Sequence, residues 1–202
     1  NLTNNIINNQ LLANNVTNIK IIEIFRSVDK SQFVEEEDKT LANMDENFFF
    51  NKKRFMLKNS TLAKLFDLII DKKIINALNI GSATGFSSVL LSKFVDFVVS
   101  IENDKSLHEK EKKIIKHLDI ENINSINLKL ESGCREFMPY DLIFINGCLL
   151  NKPKILLDQL NNNGCLLDIE LTNNNLKKIV KYEKNHNNVL RKEYFVSNTP
   201  ML

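Results

Sequence analysis

Apolar positions along this chain fall into two regimes. Up to about residue 70 they recur with helical spacing: Ile6, Ile7, Leu11 and Leu12, then Ile19, Ile22, Ile24 and Phe25, then Leu62, Leu65, Phe66 and Ile69. Asn59 or Ser60 is placed to cap the third of these helices. From residue 75 onward short apolar runs alternate with helical stretches. Strands are predicted near 75 to 80, 96 to 101, 125 to 130, 141 to 146 and 164 to 169, and helices near 85 to 94, 104 to 118 and 152 to 160. Such alternation implies an α/β fold, with a mainly parallel sheet covered by helices on both faces. The last two runs, Leu176 to Glu183 and Val189 to Ser197, flank a polar turn and predict an antiparallel pair at one sheet edge. Residues 28 to 58 hold the acidic patch Glu35-Glu36-Glu37-Asp38 and the run Phe48-Phe49-Phe50, and read as a long irregular segment covering an active site. The organisation is one compact domain, with residues 1 to 70 as a helical cover and 71 to 202 as the core.

In an open α/β sheet the ligand lies beyond the carboxyl ends of the strands. The first strand there runs into Asn79-Ile80-Gly81-Ser82-Ala83-Thr84-Gly85, a small-residue turn that opens a helix. Gly81 and Gly85 let the backbone bend and approach a ligand closely. A dinucleotide loop needs small residues at its first, third and sixth positions, here Gly81, Ala83 and Phe86, and phenylalanine at the sixth argues against NAD or FAD. No Gly-Lys-Ser/Thr follows, so a Walker loop fails too. What remains is the acid-x-Gly-x-Gly-x-Gly pattern of S-adenosylmethionine methyltransferases, with Asn79 standing for the acid and Ala83 for the middle glycine. About 20 residues on, the next apolar run ends in Glu102, the position expected to hold ribose hydroxyls. Asn103, the Glu131-Ser132-Gly133 turn and Asn146-Gly147 complete the strand tips. The expected cofactor-binding residues are therefore Asn79, Gly81, Ser82, Ala83, Thr84, Gly85, Glu102, Asn103, Ser132, Gly133 and Asn146.

Composition narrows the setting. The 202 residues are 43% hydrophobic, enough for one substantial core. Net charge is +2 and the lysines are scattered, so no stripe for nucleic acid is present, and Lys52-Lys53-Arg54 reads as a solvated loop. No apolar run is long enough to span a membrane and no secretion signal opens the chain, which points to a soluble cytoplasmic protein. Cys134, Cys148 and Cys165 form no Cys-x-x-Cys pair, so neither a disulfide framework nor a metal site is expected. Asn161-Asn162-Asn163 and Asn173-Asn174-Asn175 read as turns. His108, His117 and His186 are assigned to structure, as is Asp141 at the start of a buried strand.

Four stretches resemble one family, the protein-L-isoaspartate O-methyltransferases, over nearly the whole chain. They are Asn9-Gln10-Leu11 with Val16-Thr17-Asn18; Val28 to Val34, beside the family's Val-Pro-Arg-x-x-Phe-Val; Tyr140 to Ile145, its fourth strand; and Pro153 to Leu160 with Gly164 to Leu167. The resemblance implies a Rossmann-like core with a seven-stranded sheet, S-adenosylmethionine as methyl donor, and isoaspartyl peptides or proteins as partners of a monomeric carboxyl methyltransferase. A carboxylate with a pKa near 4 is ionised at pH 7 and needs no general base, so the absence of a Ser-His-Asp or Cys-His set is expected. The departures from the family are local. Its Gly-x-x-Ile-Ser-x-Pro segment is here Arg54-Phe55-Met56-Leu57-Lys58-Asn59-Ser60, with Leu57 read at the hydroxyl position and Arg54, Lys58, Asn59 and Ser60 beside it. Its Gly-Asp-Gly loop has become Glu131-Ser132-Gly133, without the acid that accepts from the adenine amino group. Two further readings stay open: methyl transfer to a different protein side chain, an RNA or a metabolite, and a non-catalytic interaction protein that keeps the fold.

Overall fold

The computed structural model describes residues 2–149, 154–172, 174–186 and 188–202, with side chains from residue 7 onward. The side chain of Ile6, positions 152 and 153 of the expected helix and of the Pro153 stretch, and Asn173 and Asn187 of two expected turns lie outside what it describes. The chain begins with α1 (Leu2–Leu12), α2 (Ile19–Arg26) and the short α3 (Lys39–Ala42). A small antiparallel hairpin of β1 (Phe48–Phe49) and β2 (Phe55–Met56) follows, then α4 (Asn59–Asp67). The segment expected to be irregular is thus built from two 3-10 turns, α3 and this hairpin. The core then runs β3 (Asn76–Ile80), α5 (Phe86–Leu91), β4 (Phe97–Glu102), α6 (Lys105–His117), β5 (Ile123–Asn127), β6 (Tyr140–Ile145), α7 (Lys154–Leu157), β7 (Leu160–Leu171), β8 (Lys177–Asn185) and β9 (Asn188–Val196).

These last seven strands form one sheet in the order β5-β4-β3-β6-β7-β8-β9. The first five are parallel, and β8 and β9 add antiparallel at the edge, as the pattern predicts. Two strands are displaced from expectation. β5 starts two residues early, because its register follows Val98 opposite Ile123, and it ends where the Asn127 amide donates to the Glu102 carbonyl. β7 starts at Leu160 rather than 164, since Tyr140 already pairs with Leu160 across an irregularity that brings Gly164 against the Tyr140 carbonyl. A Cβ on Gly164 would stand 2.8 Å from that oxygen, so glycine is required there.

The sheet alternates apolar side chains to both faces, and each face is buried. One face carries Leu78, Ile80, Val99, Ile101, Ile143 and Ile145 against Leu130, Leu156 and Leu160. The other carries Ala77, Val98, Leu142 and Phe144, and here the N-terminal helices join the same apolar cluster. The join is aromatic: Phe25 and Phe33 pack on Phe86, and Phe66 packs on Phe144, with ring centroids 5.3–6.4 Å apart. Each such ring contributes roughly 1.5–3 kcal/mol by burial alone, which fixes the N-terminal segment on the sheet. No helix among the described residues is long and apolar enough to cross a membrane.

Candidate functional site

Chain order reverses between β3 and β6, so the crevice beyond their carboxyl ends is where a fold of this kind holds a ligand. β3 runs into the loop 81–85, whose backbone takes positive φ at Gly81 (73°), Ala83 (52°) and Gly85 (95°). The loop is pinned by the Gly81 N–H on the Ile101 carbonyl at 2.9 Å and the Gly85 N–H on the Ser82 carbonyl at 2.8 Å.

Beneath it lies a polar island that sequence reasoning missed. Asn79, Ser100 and Ser125 stand in one row across β3, β4 and β5. Glu111 of α6, with no exposed surface, faces that row. Its Oε1 accepts from the Ser88 and Ser100 hydroxyls at 2.8 and 2.6 Å, and its Oε2 from those of Ser82 and Ser125 at 2.8 and 2.7 Å. Burial pushes the Glu111 carboxyl up, and the four hydroxyls oppose that shift. A Cβ on Gly85 would stand 2.7 Å from Glu111 Cγ, so Gly85 serves both the turn and this packing. The available signal was a carboxylate within the apolar stripe Leu107, Ile114, Ile115 and Leu118 of an amphipathic helix.

The other loop residues are tied to the scaffold. The Asn79 amide donates to Ser87 and Ser88, and its oxygen accepts from Asn146 at 2.6 Å, which joins β3 to the tip of β6. Thr84 donates to the Phe33 carbonyl at 2.8 Å and anchors the N-terminal segment to the loop. Ser82 is committed to Glu111. Ser132 and Gly133 have local partners: Ser132 is exposed and bonds the Lys129 carbonyl, and Gly133 packs on Gln159. The residue that approaches Gly81 from that stretch is Leu130, its Cδ1 3.6 Å from where a Gly81 Cβ would stand.

Glu102 is fully buried at the tip of β4. Its Oε2 accepts from the Ala83 N–H at 2.9 Å, so it braces the loop, and its Oε1 accepts from the Asn103 and Asp104 N–H groups at 2.8 and 2.9 Å. The expected free ribose acceptor is instead taken: Arg54 Nε donates to the same Oε1 at 2.8 Å, and Arg54 also bonds the Asn103 side-chain oxygen and the Lys53 carbonyl. Three donors saturate that oxygen. The reading of Lys52-Lys53-Arg54 as a solvated loop fails for Arg54, which is buried.

The remaining crevice is lined by apolar side chains. Leu202 lies across both tips, 3.0 Å from the place of a Gly81 Cβ and 2.5 Å from that of a Gly147 Cβ, and Phe55 Cζ is 2.9 Å from the latter. Leu202 is held there by a short bridge in which its N–H donates to the Cys148 carbonyl and the Cys148 N–H to the Pro200 carbonyl. Backbone and loop geometry therefore fit an adenosyl ligand. Among the described residues, the Arg54 side chain covers Glu102, and Leu202, Phe55 and Leu130 close on Gly81 and Gly147.

Leu57, read at the acceptor side, follows β2, is 2% exposed and belongs to the apolar core together with Phe55 and Met56. Asn59 is buried with its amide on Gln10, and the Ser60 N–H bonds Asp45. Lys58 faces a separate cavity of about 420 Å³, lined also by Asn47, Ser60, Lys64, Ser197 and Thr199, between α4 and the strap 197–202. Among the described residues no group of His, Cys, Asp and Glu is placed to hold a metal ion. His108 Nδ1 lies 3.0 Å from the Ser125 hydroxyl, and Asp141 accepts from the Ile75 and Asn76 N–H groups, both structural ties.

A family model described as Protein-L-isoaspartate(D-aspartate) O-methyltransferase matches residues 1–199. The protein-L-isoaspartate O-methyltransferase of Helicobacter pylori (strain P12) is 26% identical over 172 residues, 85% of this chain and 81% of that protein. The one from Aliivibrio fischeri (strain MJ11) is 27% identical over 152 residues, 75% and 73% of the two chains. A Plasmodium falciparum crystal structure, described as a protein-L-isoaspartate O-methyltransferase in complex with S-adenosyl-L-homocysteine, superposes with a TM-score of 0.84 at 18% identity, covering 99% of this chain and 97% of that one. At that identity the likeness carries the fold, which is Rossmann-like.

Proposed function

The chain belongs to the protein-L-isoaspartate(D-aspartate) O-methyltransferase family over residues 1–199, and on that premise we propose that it methylates the free carboxylate of isoaspartyl residues in damaged proteins, with S-adenosylmethionine as donor. The observation that carries this reading is the braced loop 81–85 at the switch point of the sheet, with Glu102 holding the Ala83 N–H from below.

When bound, S-adenosylmethionine supplies an activated methyl group. The chain's own part is placement. Gly81 and Gly147 offer the close backbone approach, and Glu102 and Asn103 the hydrogen-bonding edge. The acceptor carboxylate is already ionised at neutral pH, so no residue has to remove a proton. What accelerates the transfer is alignment of the carboxylate oxygen with the methyl carbon at about 3 Å and exclusion of water. The separate cavity that Lys58 and Lys64 line together with Glu46 is our candidate for a flanking part of the acceptor peptide, away from the reacting carboxylate. We assign residues 1–70 to the cover and 71–202 to the donor core. Three free, buried cysteines suit the reducing cytoplasm in which we place the enzyme as a monomer.

The direct test is incubation with labelled S-adenosylmethionine and an isoaspartyl peptide, read as base-labile methyl ester. Ester above the level of the matched aspartyl peptide is expected, and equal levels would refute the acceptor. The donor seat has its own test: Glu102→Gln is expected to weaken S-adenosylhomocysteine at least tenfold, a loss of about 1.4 kcal/mol, by calorimetry. An unchanged constant, with Arg54→Met unchanged as well, would remove Glu102 from the donor site. The Arg54 ion pair on Glu102 favours the second, non-catalytic reading; a dissociation constant below about 100 µM, or −5.5 kcal/mol, would count against it, and methyl ester formation would exclude it.

A further inference from the structure

Where the family segment has glycine, this chain has Arg54, and its guanidinium sits on Glu102 with side chains 7% and 0% exposed. We propose that Arg54 is a latch on the donor site: it occupies the carboxylate edge that a ribose needs, so the donor enters only when the β1–β2 hairpin carrying Arg54 lifts away. The proposal rests on the donor reading of the preceding section.

Three features make this a latch rather than ordinary scaffolding. First, Glu102 does not need the arginine. Without it the carboxylate keeps the N–H groups of Ala83, Asn103 and Asp104, so it is neither orphaned nor released. Second, Arg54 is held from a light element, a hairpin of two residues per strand, whereas Glu102 belongs to the centre of a seven-stranded sheet. Its exposed tip, residues 51–53, is the part that can move at small cost, whereas Phe55 and Met56 of β2 are buried and leave the core only with loss of apolar contact. Third, the same hairpin supplies Phe55, which closes on Gly147 together with Leu202. One displacement of the hairpin, with a swing of the strap 199–202, clears the ribose edge and both glycines together.

A site open only part of the time binds with an apparent constant raised by the reciprocal of the open fraction. Removing the latch therefore tightens donor binding. Methionine at position 54 keeps the aliphatic stem and deletes every donor, so the closed state loses its ion pair while the hairpin keeps its packing.

Calorimetry with S-adenosylhomocysteine on the wild type, Arg54→Met and Leu202→Ala tests this without reference to turnover. Arg54→Met is expected to bind at least tenfold more tightly, and Leu202→Ala more tightly by a smaller factor. In the wild type, amide exchange across residues 48–57 is expected to speed up when ligand is added. Equal or weaker binding by Arg54→Met, or slower exchange across the hairpin on ligand addition, overturns the latch. Should Arg54→Met misfold, Leu202→Ala and the wild-type exchange experiment decide alone. If wild type and variants all fail to bind up to about 1 mM, near −4 kcal/mol, the donor reading fails as well. Equal binding by wild type and Arg54→Met leaves the donor reading standing and removes only the latch.

Discussion

Glu111→Leu is expected to destabilise the protein by at least about 3 kcal/mol. The side chain accepts hydrogen bonds from four serine hydroxyls on three elements and the donor loop, and all four contacts are 2.6–2.8 Å. Leucine fills the space but accepts nothing, and each buried hydroxyl left without an acceptor costs about 1–3 kcal/mol. Some of the loss is recovered, because Ser88 and Ser100 lie 2.8 Å apart and bond each other, and Ser125 keeps His108. Relief of the carboxylate's burial offsets a further part. Ser82 has no such substitute, and it belongs to the loop that Gly85 closes over Glu111. Glu111→Gln, which keeps the shape and one acceptor, is expected to cost about half as much. Urea denaturation followed by circular dichroism measures both. A Glu111→Leu protein as stable as the wild type would mean that the serine ring contributes nothing to the fold.

Lys30→Met is expected to act in the opposite direction and stabilise the protein by roughly 2 kcal/mol at pH 7. Lys30 is 4% exposed, and its ammonium has no hydrogen-bond partner among the described residues. It borders a cavity of about 10 Å³ with Asn59, whose side-chain oxygen is likewise unpaired, and that volume suits a single water. Burial lowers its pKa from 10.5 to about 8, against the pull of Asp45. A folded-state value below the unfolded one means that the folded protein binds fewer protons, so stability rises with pH between about 8 and 10.5. Below that window the charged form costs about 3 kcal/mol, partly returned by the Phe86 ring 5.7 Å away. The advantage of methionine is therefore largest at neutral pH and fades as pH approaches 10.5. Denaturation of both proteins at pH 7 and pH 10 checks this, and a variant less stable than wild type at pH 7 would show that Lys30 is well solvated or paired.

Much of the site was legible as motif, less of it as geometry. The spacing from Gly81 to Glu102 marked a nucleotide crevice because strand length and loop closure are set locally. It did not show that Glu102 spends one oxygen on the Ala83 N–H and shares the other with Arg54, since that pairing joins residues 48 positions apart. Ser132 follows a strand tip and is exposed, and the same 3-10 turn over Leu130–Ser132 brings Leu130, which no motif marked, against Gly81. Leu57, read at the hydroxyl position, is the last of three buried residues in a row, Phe55 to Leu57, and no alternation in the sequence announces that burial.

Apolar periodicity, glycine placement and turn chemistry determined by themselves that this is an α/β protein with a parallel sheet, an antiparallel edge and a glycine-bearing loop after its first core strand. Those are consequences of short-range sterics and of the periods 2 and 3.6. Only the tertiary structure decided what the buried polar groups do: that Glu111 is ringed by serines, that Lys30 sits in an apolar niche, and that Arg54, Phe55 and Leu202 lie over the crevice. A buried charge takes its partner from whatever the fold brings within about 3 Å, and that distance has no counterpart in sequence separation.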